Sequence, residues 1–312
     1  MAFAGKRDYL AHACQEPLVR VLIIGGDGML GHCLLTALAS SHEVKVSLRS
    51  PLQAYAALGM FHAGNAAGGI DVRDIAAVRG LLHEFEPDAV VNAAGVVKQR
   101  GEASEAIPSI EINSLFPHRL AAECRNVGAA LIHYSTDCVF SGSKGNYRES
   151  EIPDPLDLYG RSKLLGEVEA DNCLTFRTSM VGLELTRKTG LIEWFLSQEG
   201  SVAGYTRAVF SGLTTAEHAR VLQRVLAAMR NRLLPASGLF HLAGNPISKC
   251  ELLTMLTKQS GLDKRIIPDD RLVVDRSLKA SKFKDAYGYS APSWGEMIDE
   301  LAATLRSSQR CF

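Results

Sequence analysis

The chain carries no surplus of charge: 34 basic and 34 acidic side chains leave a formal net charge of zero. No run of like charge stands out, so nucleic acid and membrane surfaces are poor partners. The seven cysteines are scattered and odd in number, with no C-x-x-C, which excludes a disulfide framework and a zinc cluster. Nine histidines are equally dispersed and never fall at H-E-x-x-H spacing, so no metal is expected. No apolar run approaches the ~20 residues that a membrane helix needs, and no signal-peptide pattern opens the chain. The expectation is a reduced, cytoplasmic protein. Residues 1–19 read as an N-terminal extension of no legible purpose.

What is present is alternation. Short β-branched runs at residues 20–24, 44–48, 69–72, 88–92, 129–134 and 174–177 read as strands. Between them, residues 27–41, 74–85, 110–127 and 159–171 carry apolar side chains at helical spacing. Strand–helix alternation predicts an α/β fold, a Rossmann doubly wound parallel sheet covered on both faces. The regularity weakens after residue 180. Residues 20–180 therefore read as one doubly wound domain, and 181–312 mainly as a smaller C-terminal lobe, some segments of which are placed to return to the first. Helices are expected near 191–198, 215–231, 248–261 and 293–306, and a strand at 238–242 is placed to return to the main sheet.

The first strand runs into "VLIIGGDGMLG". Gly25, Gly28 and Gly31 have the spacing of a phosphate-binding turn that opens a helix. A tight turn, close approach of a pyrophosphate and helix–sheet packing each favour a residue without Cβ. The helix N-terminus, beginning at Met29 and Leu30, then offers free N–H groups to an anion. The second strand ends in Arg49, where a binder of unphosphorylated ribose usually places an acid. Arg49 points to NADPH, with NAD the alternative; a plain solvated arginine is the other reading. Asp71 and Val72 are candidate adenine contacts. Ala93, Ala94 and Gly95, at the end of the fourth strand, are small enough to let a cofactor lie across the sheet edge.

A hydroxyl cluster follows. "HYSTDCVFSG" puts Ser135 and Thr136 just past a strand, and "YGRSK" puts Tyr159 and Lys163 on one helix face. A phenol titrates near ~10, and a neighbouring ammonium favours the phenolate. Lys163 is thus expected to lower the Tyr159 pKa and make it a proton donor to a developing alkoxide. A hydroxyl of the Ser-Thr pair is placed to orient a carbonyl.

Taken in order, "GGDGMLG", "NAAG", "STDCVFSG", "YGRSK" and "FRTSMVG" resemble the extended short-chain dehydrogenase/reductase superfamily, and within it the dTDP-4-dehydrorhamnose reductase family. The resemblance covers roughly residues 20–305. It implies NADPH-dependent reduction of a nucleotide-diphosphate 4-keto-6-deoxysugar. It also implies Tyr159 as acid/base, Lys163 as its pKa-lowering, ribose-binding partner, Thr136 as the carbonyl-orienting hydroxyl and Asn113 as the helix asparagine that supports a proton relay and binds on the cofactor side. Val97, Lys98, Arg177 and Arg207 fall where the substrate binds. Lys98 and Arg100 read equally as diphosphate contacts and as solvated charges. Cys138 stands where dehydratases of the superfamily carry an acid, which argues against dehydration. Arg49 argues against an epimerase, which favours an acid there. A non-catalytic regulatory subunit, like the β subunit of methionine adenosyltransferase, is the reading of a different class. A homodimer is left open.

Overall fold

The computed structural model describes residues 18–97, 105–186, 188–231 and 237–309. Five central strands come from short runs rich in β-branched and apolar residues: β1 (Arg20–Ile24), β2 (Glu43–Ser47), β4 (Ala89–Asn92), β5 (Ala130–Tyr134) and β6 (Cys173–Thr178). A two-residue β3 (Ala66–Ala67) closes one edge. On the other, residues Gly238–Leu242 (β11) pair in parallel with β6. The order is β11-β6-β5-β4-β1-β2-β3, all parallel. Strand order reverses between β1 and β4, and that switch point sets the crevice where ligands bind.

Alternation along β1 assigns the two faces. Val21 and Ile23 pack with Leu34 and Leu38 of α1 (Met29–Leu38) and with Leu222 and Val225 of α7 (Thr215–Arg230). Leu22 and Ile24 pack with Leu82 and Phe85 of α2 (Ile75–Phe85) and with Phe116 and Leu120 of α4 (Phe116–Asn126). All four β1 residues are fully buried, each contributing about 1.5–3 kcal/mol by leaving water. Asp74 starts α2 by accepting from the Ala76 and Ala77 amides.

Two helices and one strand depart from the expected pattern. The helix expected at 110–127 begins earlier, as α3 (Ala106–Ser109), and runs into α4 through a π-helical stretch at Ile110–Leu115. The extra residue of a π turn re-aims the side chains that follow. The helix expected at 159–171 is shorter: α5 spans Leu158–Leu165 and stops at Gly166. The strand expected at 69–72 is instead β3, ending at Ala67, because Gly69 turns the chain with φ +78°. Beyond it, Ile70 still donates to the Leu48 carbonyl at 3.0 Å.

The later segments build small sheets outside the main one. β7 (Met180–Val181) pairs with β10 (Leu213–Thr214), and β8 (Ser201–Tyr205) with β13 (Arg265–Asp269). β9 (Ala208–Phe210) lies between β12 (Ile247–Ser248) and β14 (Val274–Asp275). Helices α6 (Leu191–Ser197), α8 (Lys249–Ser260), α9 (Ser281–Tyr287) and α10 (Trp294–Gln309) complete the chain. Ser248 and Glu251 cap the start of α8 reciprocally. Among the described residues no helix is long and apolar enough to cross a membrane.

Candidate active site

The crevice at the β1–β4 switch point is a cleft of about 320 Å³. Its floor is the glycine loop. Gly25 turns with φ +90°, and its amide donates to Ser47 Oγ at 3.1 Å. A Cβ on Gly31 would stand 2.2 Å from the Gly25 carbonyl oxygen, so only glycine lets α1 begin this close to the loop. Gly31 itself lies under the loop rather than on the cleft wall. Gly25, Gly28, Met29 and Leu30 line the cleft, and α1 has neither a side-chain cap nor an acid in its first turn. Its first N–H groups and positive end thus suit a phosphate. These residues fit a dinucleotide.

Ser47, Arg49, Ile70, Asp71 and Val72 also line the cleft. Asp71 takes hydrogen bonds from the Arg73 side chain at 2.6 and 3.0 Å. These bonds hold its carboxyl down at about 2, with Arg49 adding to the effect. Ala93, Ala94, Gly95 and Val97 form the opposite wall.

Asn113 is not on that wall. It is buried on the π-helical stretch, where Oδ1 accepts from the Val96 amide at 2.9 Å and Nδ2 donates to the Val96 carbonyl at 3.0 Å and to Ser162 Oγ at 3.2 Å. It is expected as a cofactor contact; its amide braces the loop after β4 against α5.

Thr136, Tyr159 and Lys163 do converge on the cleft. Thr136 caps a short turn, its hydroxyl accepting from the Cys138 amide at 3.1 Å and donating to Asp137 Oδ1 at 3.3 Å. A Cβ on Gly160 would lie 2.3 Å from the Cys138 carbonyl oxygen. That close approach of α5 to the turn sets Tyr159 in hydrogen-bond contact with Thr136. Lys163 is buried, and Nζ donates to the Tyr134 carbonyl at 2.6 Å.

The electrostatics differ from expectation. Burial, aided by Cys138, Asp137 and Asp157, pushes the Tyr159 phenol above its ordinary 10.0, against the Thr136 hydrogen bond. Lys163 does not counter this; its own pKa falls to about 8 through burial, with Glu167 opposing the fall. Desolvation outweighs the attraction expected between the two groups. Tyr159 is thereby held protonated at neutral pH.

Two expected substrate contacts lie elsewhere. Arg177 is buried on β6 and grips Glu167 with two bonds, Nε–Oε1 at 2.8 Å and Nη2–Oε2 at 2.7 Å. Its guanidinium also sits 5.2 Å from the Phe140 ring centroid. Arg207 is exposed on the β8–β9 turn and does not line the cleft. Lys98 and Arg100 fall outside the described residues. Conversely, Asp27, Cys138, Thr178, Ser179 and Glu184 line the cleft without having been singled out as contacts. Asp27 sat in plain view inside the glycine motif. Glu184 had no sequence signal; its carboxylate holds the Gly190 amide at 2.8 Å.

A parallel doubly wound sheet, a glycine loop under a helix N-terminus and a Tyr-x-x-x-Lys pair facing a threonine define a dinucleotide-cleft protein of the Rossmann class. Within that class, the chain belongs to the RmlD substrate binding domain family, whose model matches residues 19–307. It is 38% identical over 152 residues to a dTDP-4-dehydrorhamnose reductase of Streptomyces griseus, covering 48% of this chain and 44% of that protein. It is 33% identical over 153 residues to methionine adenosyltransferase 2 subunit beta of Rattus norvegicus, covering 48% and 42%. The matched stretches thus span less than half the length of these curated relatives. The dTDP-4-dehydrorhamnose reductase of Bacillus anthracis, solved with NADP, aligns with TM-score 0.74 over 92% of this chain and all of that one, at 18% identity. WbmG of Bordetella bronchiseptica, solved with NAD, aligns with TM-score 0.74 over 95% and 96%, at 19% identity. At these identities the structural likeness is one of fold.

Proposed function

We propose that the chain reduces the keto group of a nucleotide-diphosphate 4-keto-6-deoxysugar with NADPH. The observation that carries this reading is the convergence of Thr136, Tyr159 and Lys163 on the cleft floored by the glycine loop. When bound, NADPH supplies the hydride. The chain supplies the rest. Thr136 holds the carbonyl oxygen, Tyr159 delivers a proton to it as negative charge develops, and Lys163 sets a positive charge beside the exchange. A phenol kept protonated by burial is ready to donate. Val97, 36% exposed at the cleft wall, is placed to touch the sugar nucleotide.

The cleft is poorly equipped for dehydration. Cys138 stands where an added acid would be needed, and the Glu184 carboxylate is engaged by the Thr189 and Gly190 amides. A homodimer is supported by exposed apolar side chains on adjoining helices: Ile107 (71%), Ile110 (48%) and Leu165 (66%). Light scattering tests it.

The test of the reaction is NADPH consumption with a panel of nucleotide-linked 4-keto sugars. Turnover that vanishes in Tyr159→Phe supports the reading. Silence across the panel, in a protein that binds NADPH, favours the regulatory reading, to which the identity with methionine adenosyltransferase 2 subunit beta lends weight.

A further inference from the structure

The turn that carries Thr136 also carries a buried acid. Asp137 is 6% exposed and lines the cleft together with Thr136 and Ser179. The Thr136 hydroxyl donates to Asp137 Oδ1 at 3.3 Å, well beyond the ~2.5–2.7 Å of a hydroxyl closed onto a carboxylate. The same hydroxyl oxygen accepts from the Cys138 amide at 3.1 Å and contacts Tyr159. The Ser179 side chain also bonds the Asp137 carboxyl. Ser179 is itself pinned: its carbonyl accepts from the Leu213 amide at 3.0 Å, and a Cβ on Gly212 would lie 2.4 Å from that oxygen. Asp137 is therefore held by a fixed serine and by the hydroxyl assigned to the substrate's carbonyl.

A threonine hydroxyl has one proton. While that proton points at Asp137, it does not hold a carbonyl oxygen. We propose that Asp137 is a positioning residue that acts through Thr136: its neutral carboxyl donates to the Thr136 oxygen and releases the threonine proton to the substrate, whereas its carboxylate captures that proton. The inference rests on the reductase reading above. Among the described residues, the titratable groups that act on Asp137 or that it acts on are Cys138 next to it, Tyr159 on α5 and Arg276 after β14. Burial raises the Asp137 pKa, against Arg276 and the bonds from Cys138, Thr136 and Ser179. Arg276 also donates its Nε to the Phe140 carbonyl at 2.9 Å. The neutral form thus extends to higher pH than is usual for a carboxyl. An ionised Asp137 has a second effect of opposite sign, since its charge raises the Tyr159 pKa and keeps the phenol protonated.

The experiment measures single-turnover hydride transfer from NADPH in the whole protein against pH, with the 4-keto sugar nucleotide of the panel that turns over fastest. Wild type, Asp137→Asn, Thr136→Val and the double variant are compared. Asparagine keeps the volume and a donor for the Thr136 oxygen but does not ionise. The readout is the rate of Asp137→Asn divided by that of wild type, in which the titration of Lys163, common to both, cancels. This ratio is expected to rise about tenfold between about pH 5 and 9, because only the wild-type carboxyl ionises. In the Thr136→Val background it is expected to stay level within about twofold. A ratio that is level or falls with pH overturns the proposal; a fall is the sign of a carboxylate acting on Tyr159 by charge alone. A ratio that rises equally without the Thr136 hydroxyl also overturns it, since Asp137 then acts on the carbonyl directly. Thermal melting checks that each variant folds, and Asp137→Ser carries the same expectation if the asparagine variant does not. In all these outcomes wild type turns over and the reductase reading stands. Absence of turnover by wild type overturns both.

Discussion

Replacing Arg177 with methionine should destabilise the protein without first affecting substrate affinity. The guanidinium is 4% exposed and Glu167 9%. The carboxylate takes two bonds from Arg177, at 2.7 and 2.8 Å, and a third from the Ser135 hydroxyl at 2.7 Å. Methionine fills much of the space but leaves the carboxylate enclosed with one partner in place of two. Breaking a buried pair on one side costs about 3–5 kcal/mol, because the remaining charge is uncompensated. For a chain of 312 residues that corresponds to a melting temperature roughly 5–8 °C lower. The double variant Glu167→Gln, Arg177→Met removes both charges. It should lose less than the sum of the single variants, with a coupling of about 2 kcal/mol or more. Urea denaturation with an unchanged m-value is the assay. A single variant within about 1 kcal/mol of wild type, with KM for the sugar nucleotide raised, would refute the buried-pair reasoning and return Arg177 to the substrate.

Three further outcomes follow from the geometry. Gly31→Ala sets a methyl group 2.2 Å from the Gly25 carbonyl; dinucleotide affinity should drop at least about tenfold, read by titration. Lys163 titrates at about 8 in the folded protein, so kcat/KM should decline as pH rises through that value and the ammonium is lost; a level profile beyond it would contradict the role assigned to the lysine. His218 is held down at about 4 by burial, against an ordinary 6.5, and is neutral when folded. Its contribution is fully present above 6.5 and is lost as pH falls toward 4, about 3 kcal/mol in all. Stability curves against pH, compared with His218→Gln, measure it.

The parts of the site visible in the chain alone are those fixed by local spacing. Gly25 and Gly31 had to flank a turn, and Tyr159 and Lys163 had to share a helix face, wherever the rest of the molecule went. The parts that were not visible depend on partners brought in from elsewhere. All six β6 residues are buried, so no alternation told which way Arg177 points, and its partner Glu167 lies on a different segment. Asn113 was legible as a helix residue, but the π-helical stretch beneath it, which turns its amide onto Val96, has no sequence signature. The sign of the Tyr159 shift was missed for a related reason: spacing reports the neighbouring lysine, while desolvation depends on everything packed around the phenol. Asp27 was in the motif all along. Its link through Tyr55 to the Ser50 amide emerges only when the chain folds between loop and strand.

The most direct test of the whole account follows deuterium from C4-labelled NADPH into the nucleotide-linked sugar by mass spectrometry, in wild type and in Tyr159→Phe. Label should appear on the former carbonyl carbon, with the rate reduced about 10²–10⁴-fold in the variant. Undiminished transfer in Tyr159→Phe, or none in wild type with every 4-keto sugar nucleotide offered, would contradict it.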